Sequence, residues 1–139
     1  MTTQKTDVWN RKTDKDKFIR AYIECALWST TNENCDMGSG LDALFDLDNL
    51  SDDLFNSMVQ NCESFLFNFN DTLIRLEQMH SYGFEQAGHD FWLSHNGHGA
   101  GFFDRDALRD TETLEKFEAH CETVKELNLY ENEGVIYGD

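Results

Sequence analysis

Residues 88–104 run GHDFWLSHNGHGAGFFD, and how this stretch is read decides the fold. Phe91-Trp92-Leu93 is a short apolar run with two β-forming aromatics. Asn96-Gly97 follows, the strongest short-range hairpin signal, because a two-residue type I′ turn needs positive φ at both of its positions. His95-Asn96-Gly97-His98-Gly99 then reads as a turn and Gly101-Phe102-Phe103 as a returning strand. The stretch therefore predicts a β-hairpin.

Downstream, Asp110 or Thr111 starts a helix whose apolar face is Leu114, Phe117, Cys121 and Val124. Leu127-Asn128-Leu129-Tyr130 and Val135-Ile136-Tyr137 flank Glu131-Asn132-Glu133-Gly134, which predicts a second hairpin. Upstream, Ser51 is an N-cap with Asp52 and Asp53 in the first turn, where carboxylates favour the positive end of the helix dipole. Leu54, Phe55, Met58, Val59, Cys62, Phe65, Leu66 and Phe69 continue a helical face. The pattern weakens at Asn68, Asn70 and Asp71, and Leu73, Leu76 and Met79 extend it to about residue 79. Residues 16–28 are a further helix, with Phe18, Ile19, Tyr22, Ile23, Ala26 and Leu27 on one face and Asp14 or Asp16 at its start. Residues 29–40 are a loop by composition, and 41–50 fit either a helical or an extended turn. Residues 1–15 are polar and without period, a flexible arm that Val8 and Trp9 dock. The predicted organisation is one globular acidic domain over residues 16–139, of α+β class, with about three helices packed on a small antiparallel sheet made of two hairpins.

Charge narrows the partners. The chain has 139 residues and a formal net charge of -16. Its first 20 residues carry six basic side chains against three acidic ones, and the remainder carries five against 24. Binding to DNA, RNA or an anionic membrane by counter-ion release needs Lys and Arg, so direct nucleic-acid or membrane binding is not expected. A basic partner fits better; the alternative is that acidity serves solubility alone. The N-terminus is polar, with no apolar core of a signal peptide, and no apolar run approaches membrane-spanning length. Cys25, Cys35, Cys62 and Cys121 are widely separated and lack C-x-x-C spacing, which reads as reduced, mostly buried thiols of an intracellular protein.

Two carboxylate groups stand out. Asp42, Asp46, Asp48, Asp52 and Asp53 crowd one short region. Glu112, Glu115, Glu118, Glu122 and Glu126 recur at intervals of three or four residues, one face of a helix. Carboxylates spaced along a surface imitate a phosphate backbone and suit the basic groove of a nucleic-acid-binding protein. The alternative is a plain solvated face. His89, His95 and His98, with Asp90 nearby, are runner-up candidates for a metal site or an acid–base pair. Two residues of one tight turn rarely converge on an ion, however, and on a strand His89 and Asp90 point to opposite faces. Gly97, Gly99 and Gly101 spell G-x-G-x-G, with no helix N-terminus behind them to cradle a phosphate. No catalytic motif is present, and neither a cofactor nor a catalytic residue is assigned.

The segment AGHDFWLSHNGHGAGFFDR, Ala87 to Arg105, resembles a motif of small acidic bacteriophage proteins of uncharacterised function. FIRAYIECALWST and ELNLYENEGVIYGD are similar to blocks of the same family in order and spacing, whereas residues 41–80 have no clear equivalent. The resemblance implies a phage origin and a place in the host bacterial cytoplasm. Together with the charge, it leads to the expectation of a non-catalytic protein that binds and inhibits a basic host protein, a nucleic-acid enzyme or defence factor, by DNA mimicry. The alternatives are an accessory domain that docks a partner or forms a homodimer through exposed aromatics such as Trp92, Phe102 and Phe103, and a metal- or ligand-binding protein using the His-rich hairpin.

Overall fold

A computed structural model describes residues 3–30, 40–97 and 101–139. Its elements are α1 (Lys5–Asn10), α2 (Asp14–Ser29), two short 3-10 turns (Leu41–Ala43 and Leu47–Asn49), α3 (Asp52–His80), α4 (Phe84–His95), a third 3-10 turn (Phe102–Asp104), α5 (Glu112–Glu122), β1 (Leu129–Asn132) and β2 (Val135–Gly138). The α+β expectation is overturned. The chain is mainly helical, and the only sheet among the described residues is the β1–β2 hairpin.

The correction lies in α4. Residues 91–93, expected as a strand, are the middle of a helix, and 102–104, expected as its return, form a 3-10 turn. Counting from Phe84 instead of Gly88 shows why. Phe84, Ala87, Gly88, Phe91, Trp92 and His95 are all buried and recur at helical spacing. The Asn-Gly pair ends this helix: Asn96 is the C-cap, and Gly97 follows at φ 67. Left-handed glycine just beyond the C-cap is a common helix stop, so the dipeptide that signals a hairpin serves equally well here.

Gly88 has a packing role. A Cβ there would collide with the carbonyl oxygen of Phe18 on α2. Glycine in a helix costs about 1 kcal/mol relative to alanine, and here it lets α2 and α4 cross closely, in the most extensive contact between helices. α3 capped by Ser51 carries the matching apolar face and runs unbroken through Asn68–Asp71. The core converges on Phe65 of α3. Its ring centroid lies 5.4 Å from Phe18 of α2, 4.8 Å from Phe91 of α4, 5.5 Å from Phe102 and 5.0 Å from Phe117 of α5.

The segment read in the sequence as a polar arm contains a short helix, and Val8 and Trp9 do dock it. Residues 5–10 form α1, with Val8 fully buried. The Trp9 indole donates to Asp48 at 2.8 Å, and the Lys5 ammonium donates to the Leu50 carbonyl at 2.6 Å. The expected C-terminal hairpin forms, but its first strand is shifted to Leu129–Asn132 and its connection is a two-residue turn, Glu133 and Gly134, both at positive φ. Ser51 N–H donates to the Ile136 carbonyl at 2.9 Å, which ties β2 to the start of α3. No helix among the described residues is long and apolar enough to cross a membrane.

Candidate functional site

The carboxylates singled out in the sequence are all solvent-exposed. Asp42 sits in the first 3-10 turn. Asp46 caps the second, accepting from the Asp48 N–H at 2.9 Å, and Asp48 accepts from Trp9. Asp52 and Asp53 occupy the first turn of α3. Glu112, Glu115, Glu118 and Glu122 lie along α5, but the helix ends at Glu122, so Glu126 extends the row from the following segment and not from the helix itself. Among the described residues only Asp52, 4.0 Å from Lys5, and Glu112, 3.6 Å from Lys116, approach a basic nitrogen. The other eight keep their charge unneutralised by the protein.

Each group borders a concavity. Asp42 and Asp46 line a cavity of about 600 Å³ between α1, α2, the 3-10 turns and the start of α4. Glu118, Glu122 and Glu126 line a second, of about 530 Å³, beside the C-terminal end of α4, with Phe103 and Cys121. Sequence reasoning found these acids but not the other side chains of the first cavity, notably Trp28, Phe45 and Glu85. These come from separate elements, and no local spacing connects them.

The histidines do not assemble. His89 and His95 are six residues apart on α4, hence on different sides of the helix, and they face different cavities. His89 packs beside Trp28, with ring centroids 6.1 Å apart. His95 is buried, with Nε2 2.7 Å from the Tyr22 hydroxyl, which also accepts from Asn61 at 3.3 Å. His98 lies outside the described residues, as do Gly99 and Cys35. Among the described residues no group of three His, Cys, Asp or Glu side chains is placed to hold a metal.

The motif segment instead builds an internal lock that the sequence did not suggest. Asp90, 0% exposed, accepts from Arg105 Nε and Nη2, both at 2.8 Å, and from the Tyr82 hydroxyl at 2.7 Å. Burial, together with the charge and hydrogen bond of Asp90, pushes the Tyr82 hydroxyl far up, which keeps it a donor. The bond to Asp90 likewise raises Arg105. A forked arginine–carboxylate pair is strong and directional. Here it pins the segment after the third 3-10 turn onto α4. Gly101 completes the join: its φ is 130, a Cβ there would strike the Ser94 hydroxyl, and that hydroxyl accepts from the Phe102 N–H at 3.0 Å.

Cys25, Cys62 and Cys121 are free and buried. Burial pushes Cys25 and Cys121 up to about 12 and Cys62 upward as well, so none is a ready thiolate nucleophile. Of the aromatics expected to be partly exposed, Trp92 and Phe102 are buried and Phe103 is 45% exposed. Comparison of the chain with protein-family models, with curated proteins and with solved structures finds no match.

Proposed function

We propose that this is a non-catalytic, phage-encoded interaction protein that acts in the host bacterial cytoplasm. It would bind and inhibit a basic host protein, a nucleic-acid enzyme or defence factor, by presenting carboxylates in place of a phosphate backbone. The observation that carries this reading is the pair of exposed acidic groups, residues 42–53 and 112–126, whose charge the protein leaves almost wholly unpaired. Self-repulsion of this kind costs stability, and a basic partner relieves it. The phage origin rests on the resemblance of residues 87–105.

Affinity capture from a bacterial lysate across a salt series tests the proposal. The expected result is a basic partner that is released by rising salt, displaced by duplex DNA, and bound about tenfold more weakly when Glu115, Glu118, Glu122 and Glu126 are changed to Gln. A partner held equally well at high salt and indifferent to DNA would sink the proposal.

A second reading, partner docking or homodimerisation through an apolar face, is favoured by one observation. Phe67 on α3 is 90% exposed, and Ile74, two turns along the same face, is also exposed. Sedimentation of a strict monomer at high concentration, unchanged by Phe67→Ser, would remove the homodimer.

A further inference from the structure

The cavity between α1, α2 and α4 is lined by both aromatic and acidic side chains. Its volume, about 600 Å³, falls in the range of ligand pockets. Its walls include the rings of Trp28 and Phe45, and Trp28 is 60% exposed although large aromatics usually seek burial. Glu24, Asp42, Asp46 and Glu85 also line it. Among the described residues, no Lys or Arg pairs with Asp42, Asp46 or Glu85.

The only fixed positive charge in the lining is already committed. Arg20 Nε donates to Glu24 at 2.6 Å, Arg20 Nη1 donates to the Trp9 carbonyl at 3.0 Å, and the guanidinium sits 4.5 Å over the Trp9 ring. This edge of the cavity thus already holds one guanidinium between an indole face and a carboxylate. Trp28, Asp42 and Glu85 line the same cavity, which puts a further indole and two further carboxylates around it. Arginine fits such a place better than lysine, because a planar guanidinium stacks on an aromatic face and forks to a carboxylate at once.

We propose that this cavity receives an arginine side chain, carried on a short exposed segment of the basic partner, and anchors the partner there. The inference rests on the proposed function and names one of its contacts. The cavity is several times the size of one arginine side chain, so residues flanking the arginine enter with it.

The probe is the capped tripeptide acetyl-Gly-Arg-Gly-amide, titrated into the intact protein while the three indole N–H signals are followed by NMR. Saturable shifts of Trp28 and Trp9, with buried Trp92 unmoved, are expected. The same peptide with citrulline, the uncharged isostere, should not saturate, and the lysine peptide should bind more weakly. Trp28→Ala, at an exposed position, and separately Asp42→Asn with Glu85→Gln should each weaken binding about fivefold or more. An unchanged Trp92 signal establishes that the variants are folded. Trp9 shifts that saturate at the same peptide concentration in Trp28→Ala as in the unsubstituted protein, or shifts that map to α5 alone, overturn the pocket assignment while leaving the acidic-surface reading intact. Free arginine bound more tightly than the capped peptide overturns the partner-segment assignment in favour of a small-molecule site. No salt-sensitive binding anywhere, together with no basic partner captured from lysate, defeats both readings.

Discussion

Asp90 and the carboxylates of residues 42–53 are chemically alike and are used in opposite ways. Asp90 has no exposed surface, and its oxygens accept from Arg105 and Tyr82. Asp42, Asp46 and Asp53 face water, with no basic partner among the described residues. After Arg20 the chain has only five basic residues for 24 acidic ones. One of the five is spent on an interior lock, and two more sit in local pairs on the surface, Arg109 with Asp106 and Lys116 with Glu112. One basic residue is thus held inside the fold, and among the described residues the two outer groups of carboxylates are left mostly open. Interior substitutions should therefore change stability with little effect on the charge of the surface. Surface substitutions should do the reverse.

The largest expected effect comes from the point where the helices meet. Phe65→Ala should cost about 3–5 kcal/mol, because the ring touches aromatics of α2, α4, α5 and the third 3-10 turn and no single neighbour can fill the gap. Denaturant titration measures this, and a loss under 1 kcal/mol would mean that the core does not converge there. Next comes Arg105→Gln. It removes the forked cation and leaves a buried carboxylate with the Tyr82 hydroxyl and, at 3.4 Å, His89 Nδ1, and should cost about 2–3 kcal/mol. That is less than for a fully buried pair, because Arg105 is itself 34% exposed and water can partly replace it. Restoring Arg105 while changing Tyr82 to Phe should cost less, since the charged partner stays. Equal losses from the two changes would show that charge is not what holds the lock.

How much of this was legible in the sequence depends on how local each signal is. Ser51 with the apolar run from Leu54 to Phe69 marks α3 because cap and period lie within one element, and Asn68, Asn70 and Asp71 do not break it since the helix turns them to water while Phe69 packs on Phe65 and Phe117. Thr111 marks α5, and Glu133-Gly134 marks the hairpin turn, for the same reason. Residues 84–97 misled because aromatic side chains and Asn-Gly suit two structures, and the decisive period begins at Phe84, before the motif. Gly88, unfavourable in an isolated helix, is explained only by Phe18 seventy positions earlier. The acidic residues of the candidate site were visible. The cavity that gives Asp42 and Asp46 a setting was not, because Trp28, Phe45 and Glu85 are joined only by tertiary packing. The Asp90–Arg105 pair was hidden likewise, although both residues lie in the quoted motif.

The surface half of the comparison is sharpened by a pair of opposite signs. Glu118 and Glu122 are four residues apart on α5, and like charges at that spacing destabilise a helix by about 0.2–0.5 kcal/mol. Changing both to Gln should raise stability by roughly that amount. With Glu115 and Glu126 changed as well, partner binding should weaken about tenfold, since each exposed charge contact contributes about 0.2–1 kcal/mol. If stability and binding moved together, the row would be a structural feature of α5 and not a surface held ready for a partner.

The smallest effect expected concerns His120, on the inner side of α5. Its Nε2 is buried without a hydrogen-bond partner, and its ring lies 5.5 Å from Phe65 and 5.7 Å from Phe69. Burial lowers its proton affinity below the usual 6.5. The unfolded chain therefore binds a proton at a pH where the folded chain does not, and stability must fall as pH drops through 6.5 toward the folded value. Above that window the contribution is complete, and below both values the histidine has no further effect. Thermal unfolding between pH 7 and pH 5 should show this decline, and it should be shallower in His120→Gln. An identical slope in the variant would place the acid sensitivity in other groups, leaving His120 a packing residue whose charge state the fold does not feel.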